Sequence, residues 1–244
     1  MPIRIKAFAL HLLISAAIGV LSLLLIFMVW YPAPLYTALG VTHVFLMLLA
    51  IDVCLGPALT LLIYKEGKKS LKFDLAVIAA LQLSALVYGL WSVAEGRPAW
   101  LVFNADRFDA VRVLDIDTRD IGNAPAAYQS APLFGPKWVG AENPADVQER
   151  NNITFEATKG GPDLAQRPKL YKPLEDMASA VRLQAKPVDE LKRFNKEGAV
   201  AAALSQYPEA DGWLPLMASV KPMVVLVDRK AGQVVAIVDL NPWN

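Results

Sequence analysis

Three apolar runs leave this chain little freedom in what it can become: residues 7–30 (AFALHLLISAAIGVLSLLLIFMVW), 38–64 (ALGVTHVFLMLLAIDVCLGPALTLLIY) and 75–93 (LAVIAALQLSALVYGLWSV). At a helical rise of about 1.5 Å per residue, each is long enough to cross a hydrocarbon layer of about 30 Å. The competing reading of the first run is a cleaved signal peptide. Its length far exceeds a signal core of roughly 7–15 residues, and no small-x-small cleavage site precedes Trp30-Tyr31-Pro32. The run is therefore expected to be a retained span. The composition agrees, with 55% hydrophobic and 19% charged residues and a mean hydropathy of +0.36. The chain divides into a membrane domain, residues 1–94, and a second domain, residues 95–244, large enough to bury a core of its own.

Orientation follows from the flanks, because Lys and Arg are retained on the cytoplasmic side. Arg4 and Lys6 precede the first span, the link 31–37 has no basic residue, and Lys65, Lys68, Lys69 and Lys72 crowd the second link. The pattern predicts a cytoplasmic N-terminus, a bacterial inner-membrane location and a periplasmic C-terminal domain. Trp30, Tyr31, Tyr36, Trp91 and Trp100 fall at the predicted outer boundary, where aromatic rings favour the interface.

Polar residues inside the apolar runs carry the most information. An ionised Asp at mid-span costs about 2.5–3.5 kcal/mol, so Asp52 requires a partner or a proton. Counting helical rise from the cytoplasmic boundary puts Asp52 level with Gly19 on the first span and with the segment 82–88 on the third. Gln82 and Ser84 are the expected hydrogen-bond partners, and Gly19 would allow close approach. The same arithmetic keeps His11 and His43 from pairing directly with Asp52. Gly56-Pro57 predicts a kink, because proline leaves a carbonyl without its donor. Asp52, Gln82, Ser84, Gly19, Pro57 and His43 are thus the candidate residues for intramembrane packing or partner docking.

The C-terminal domain is predicted to be α+β. Strands are expected over 100–103 and 111–116, separated by a polar turn at 104–109. Residues 117–172, rich in Pro, Gly, Ala and Asn, read as long loops, a surface extension or a poorly packed insert. Helices are expected over 172–184 and 187–198, the second ending at Gly198. A terminal β-hairpin is expected from 223–228 and 234–239, with Gly232 in its turn.

The sequence excludes much chemistry. With 24 basic and 23 acidic residues, a net charge of +1, it lacks the basic excess of a nucleic-acid binder. Cys54 is the sole cysteine, and His11 and His43 are the sole histidines; all three lie in apolar runs, so neither a disulfide nor a cysteine zinc cluster can form. No nucleophile elbow, dinucleotide fingerprint or P-loop is present. Asp115, Asp117 and Asp120 lack the glycine and distal glutamate of a calcium loop. No catalytic, cofactor-binding or metal-binding residue is expected, and no enzyme activity.

Several segments are together familiar: Lys6-Ala-Phe with His11-Leu, Trp30-Tyr-Pro-Ala-Pro34, Gly40-Val-Thr-His43, Asp52-Val53 with Gly56-Pro-Ala-Leu-Thr60, Lys68-Lys-Ser-Leu-Lys-Phe-Asp-Leu75, Gln82 with Tyr88-Gly89, and Arg97-Pro98 with Phe103 and Arg107-Phe108. In this order the sequence resembles the TfpX/TfpZ family of type IV pilin accessory proteins, densely over residues 4–112 and again at Asn241-Pro-Trp243. The resemblance implies an inner-membrane protein that acts with a particular class of major pilin, or with the assembly machinery, to promote surface piliation and twitching motility. It implies no catalysis and no cofactor. A membrane-tethered periplasmic ligand-binding or sensor module is the alternative, weakened by the lack of a cytoplasmic output domain. A transporter or membrane enzyme would require Asp52 to meet a histidine.

Reporter fusions test the predicted topology: fusions at Lys69 should report from the cytoplasm, and fusions at Gly122 and the C-terminus from the periplasm. A cytoplasmic C-terminus would overturn the orientation.

Overall fold

In the computed structural model, which describes residues 2–243, the apolar runs form three long helices. Helix α1 (Ile3–Leu24) continues through a π-helical segment, Leu25–Trp30, so that one apolar rod spans Ile3–Trp30. After the short α2 (Leu35–Ala38), Gly40 takes a left-handed φ of 70° that no branched residue would tolerate, and the chain reverses into α3 (Val41–Ile63). Helix α4 (Leu71–Glu95) follows a short lysine-bearing link. Each helix is long and apolar enough to cross a membrane. Leu13, Leu62 and Phe73 stay exposed while Ser15, Ser22 and Thr60 are buried, the reverse of a water-soluble bundle.

The remainder is an eight-stranded mixed sheet with helices: β1 (Pro98–Asn104), β2 (Arg107–Arg112), β3 (Lys137–Ala141), β4 (Tyr171–Pro173), β5 (Lys186–Pro187), β6 (Gly212–Met217), β7 (Met223–Asp228) and β8 (Gln233–Val238). The order is β4-β3-β1-β2-β6-β7-β8, with β5 paired to β6. The β1–β3 and β2–β6 pairs are parallel and the others antiparallel. Both faces of the central strands are covered, which explains why WLVF and MVVLV are unbroken apolar runs. Leu101 and Phe103 point to one core with Val225 and Val227. On the opposite face Trp100 and Val102 meet Ile153 of α5 (Val147–Thr158). Val224 and Leu226 meet Val200 of α7 (Glu197–Gln206), and Val181 of α6 (Ala178–Gln184) packs on the first core.

The connection between α1 and α3 belongs to that first core. Leu35 and Ala38 are buried among Leu101, Phe108 and Leu216. The Ala38 carbonyl accepts from both Val220 N (3.1 Å) and Lys221 N (3.0 Å), tying the β6–β7 turn to the helices. The contact crosses the sequence division at residues 94/95.

Several local expectations are corrected. The second strand is 107–112, not 111–116, because the hairpin closes on a two-residue turn at Ala105-Asp106, with Asp109 accepting from Arg107 (3.1 Å) and Asn104 (3.2 Å). Arg112 then folds onto Asp115 (2.7 Å) and ends the strand in a 3-10 turn, Val113–Asp115. Of the helix expected over 172–184, only Ala178–Gln184 is α-helical, following strand β4 and the 3-10 turn Leu174–Met177. The helix expected over 187–198 is a 3-10 segment, Val188–Arg193, and Gly198 lies inside α7 instead of ending a helix. Pro187 is held in β5, and Asn195 exchanges two 2.8 Å hydrogen bonds with the Asn241 backbone, which interrupts the helix.

Residues 117–136 form a long loop with only short 3-10 turns, as expected, but the rest of 117–172 contains β3, α5 and the start of β4. Helix α5 is polar around most of its circumference and buries chiefly Ile153, so no apolar periodicity announces it. Asp146 caps it by accepting from Gln148 N (3.0 Å). Ion pairs pin the segment. Arg119 and then Arg167 donate to Glu156 and hold its carboxyl at about 2, while Lys169 joins Asp120 (2.8 Å) to Glu149 (3.1 Å).

If Leu35 is a core residue of the sheet domain, Leu35→Ala should cost about 2–5 kcal/mol and lower the thermal midpoint by roughly 5–15 °C. Leu13→Ala, on the exposed side of α1, should leave it nearly unchanged. Thermal unfolding of the full chain in detergent, followed by near-ultraviolet circular dichroism, checks both.

Candidate functional site

On α3 the residues Asp52, Gly56 and Thr60 lie four apart and so share one stripe. The stripe carries most of the polar contacts between the long helices. Gln82 Nε2 of α4 donates to the Asp52 main-chain carbonyl at 2.9 Å. It can do so because Gly56 has no side chain: a Cβ there would stand 2.0 Å from the Gln82 amide carbon. Pro57, buried, deprives the Val53 carbonyl of its intrahelical donor, and the Gln82 amide donates to the carbonyl one residue earlier. Two turns along the stripe, His11 Nδ1 of α1 and Thr60 Oγ1 are 2.7 Å apart. His11, Ser15, Asp52 and Gln82, with apolar neighbours such as Ile14 and Leu86, line an open pocket of about 190 Å³.

Gly19 meets α3 at Leu49 and Val53, where a Cβ would approach within 3.1 and 3.3 Å, so the first two long helices close tightly there. Ser84 does not join Gln82. Two residues apart on a helix is a rotation of about 200°, which turns Ser84 to the exposed side. His43, in the first turn of α3, is exposed and distant in sequence position from the stripe. Asp52 and Gln82 also border a second space: an apolar groove of about 280 Å³ between α3 and α4, with Gly56, Gly89, Leu48 and Leu55 in its walls.

A further cluster fixes the sheet domain against the helix ends. Tyr31 donates to the Val93 carbonyl (2.9 Å), and burial pushes its hydroxyl pKa well above the usual range. Arg97 donates to the carbonyls of Ala94 (2.5 Å) and Pro132 (3.2 Å) and lies 5.9 Å from the Trp30 ring. Burial lowers the Arg97 pKa, and no carboxylate pairs with it among the described residues. Asp115, Asp117 and Asp120 are each engaged by Arg or Lys. Among the described residues no group of three or more His, Cys, Asp or Glu is arranged to hold a metal.

Residues 1–40 match the family model described as fimbrial assembly protein FimB. The fimbrial assembly protein of serogroup I from Dichelobacter nodosus is 31% identical over 185 residues, covering 75% of this chain and 72% of the relative. The chain belongs to the FimB family of fimbrial assembly proteins. The serogroup E1 protein of the same organism is 31% identical with the same coverage, and the protein of serogroups C1 and C2 is 36% identical over 111 residues, 45% of this chain and 82% of that one. No solved structure matches. Membership in the FimB family is consistent with the pilin-accessory resemblance carried by the sequence.

In this FimB-family chain the His11–Thr60 pair and the Arg97 cluster were not legible from sequence. Each joins residues from different elements, and only the equal depth of His11 and Thr60 in antiparallel helices would have hinted at the first.

The fit of Gln82 against Gly56 makes a quantitative test. Gly56→Ala should destabilise the helix packing, and Gln82→Ala should remove the clash, so the double variant loses less than the sum of the singles by about 1–3 kcal/mol. Thermal or denaturant unfolding in detergent measures the coupling; strict additivity would contradict the contact.

Proposed function

We propose that this chain is a non-enzymatic accessory protein of type IV pilus assembly, seated in the bacterial inner membrane with its sheet domain in the periplasm, and that it engages the major pilin to promote surface piliation and twitching motility. The observation that carries the reading is the relationship to proteins named fimbrial assembly protein across three-quarters of the chain. Its physical basis is a division of labour. A subunit with an apolar helix can lie in the α3–α4 groove, where Gly56 and Gly89 allow close approach and Asp52 and Gln82 offer polar contacts in a medium that strengthens them. The subunit's exported part meets the sheet domain at the same time. Two modest contacts on one chain raise each other's effective concentration.

A photo-crosslinking residue at Leu55, exposed on the groove, should capture the cognate major pilin in cells, whereas one at Leu13 on α1 should not. Asp52→Asn should leave piliation largely intact, and Asp52→Leu should reduce pilin capture and surface pili. Capture of assembly-platform proteins without pilin would move the function from the subunit to the machinery.

A further inference from the structure

A cleft of about 860 Å³ lies where the end of α1 meets the sheet domain. One wall is Met28, Val29 and Pro32; the floor is Leu35, Leu101 and Trp138; the opposite wall is strand β8. Strand β8 is an edge of the sheet, paired with β7 on one side only. Residues 233–237 all line the cleft. Successive side chains of a strand point to opposite faces, so a space that touches five in a row borders the strand's outer edge. Its unpaired backbone groups face that space. None of the turn and loop backbone hydrogen bonds of the described residues involves 233–237. The register passes from Leu226↔Ala236 to Val227↔Val234, which makes Val235 a bulged residue with further free main-chain groups.

The edge sequence QVVAIV has neither the lysine nor the proline that usually blunts a sheet edge. Phe134, at the rim and outside the long helices, is 79% exposed, leaving apolar surface to be covered. Glu175 is the single charged residue of the lining, and it forms no ion pair among the described residues. A cleft with one acid and no cation does not suit a phosphate headgroup or an acidic segment; it suits a chain with a basic end.

We propose that this cleft binds an extended segment of a partner polypeptide, apolar on alternate residues and basic at one end, as an added strand on β8 with its cation at Glu175. Main-chain hydrogen bonds to β8 supply the pairing, alternate side chains fill the floor over Leu35 and Trp138, and Glu175 sets the direction. The site is separate from the α3–α4 groove and stands whichever partner occupies that groove.

The full chain in detergent micelles, titrated with the peptide acetyl-Lys-Val-Thr-Val-Thr-Val-amide, tests this by fluorescence anisotropy and hydrogen exchange. At ten times the Kd, the outward amides of residues 233–238 should exchange roughly tenfold more slowly. Glu175→Gln should weaken the peptide about threefold, the size of an exposed ion pair, while the neighbouring Asp176→Asn should not. The same peptide N-methylated at alternate residues, with side chains intact and donors removed, should fail to bind. Equal binding of the N-methylated peptide would overturn strand addition. So would protection of β8 by phosphatidylethanolamine vesicles without competition from the peptide, or protection that rises with protein concentration alone, which would assign the cleft to lipid or to a second copy of the chain.

Discussion

The link between the first two long helices, residues 31–40, must satisfy two solvents at once. Its neighbours on either side are apolar helices, yet Leu35 and Ala38 are buried in the core of a sheet formed from residues more than sixty positions later. The Ala38 carbonyl takes two amides from the β6–β7 turn, and the Tyr31 hydroxyl reaches the last turn of α4. Breaking this junction would expose Leu35 to water and leave buried polar groups without partners, costs that add. The sheet domain is therefore packed onto the helix ends and is not a body on a tether. Any partner that contacts both parts meets them in one orientation.

Inside the helix bundle the organising constraint is the cost of polar groups in an apolar medium. The chain meets it by concentrating those groups on one stripe of α3, against a glycine that lets Gln82 lie on the backbone and a histidine that meets Thr60. The arrangement consumes most of the polar capacity internally but leaves Asp52 at the border of the groove between α3 and α4. Its main-chain carbonyl takes the Gln82 amide, and the same residue lines the groove.

In the sheet domain apolar contact and ion pairs act together. Strands β1, β6 and β7 are buried on both faces and depend on apolar contact. The segment 117–172 buries Val139, Ile153, Leu164 and Tyr171 in the second core and adds ion pairs at its surface: Arg167, 9% exposed at its side chain, joins Glu156 and Asp117, and Arg119 bridges the same two carboxylates. Ion pairs of this kind fix geometry more than they add stability.

The sequence alone determined the three long helices, since transfer of apolar side chains is proportional to local length and composition and needs no knowledge of neighbours. It also determined strands β1 and β7, whose unbroken apolar runs permit no solvent face, and narrowed the third-helix neighbours of Asp52 to the level of Gln82 and Ser84, which follows from rise per residue between antiparallel helices. Only the tertiary structure decided that Leu35 belongs to the sheet core, that β2 and β6 run side by side, that polar α5 is a helix, and that Ser84 faces away while Thr60 meets His11. Each depends on groups far apart in the chain meeting in one geometry, and a hydrogen bond or a side-chain rotation of one residue leaves no trace in hydrophobic pattern.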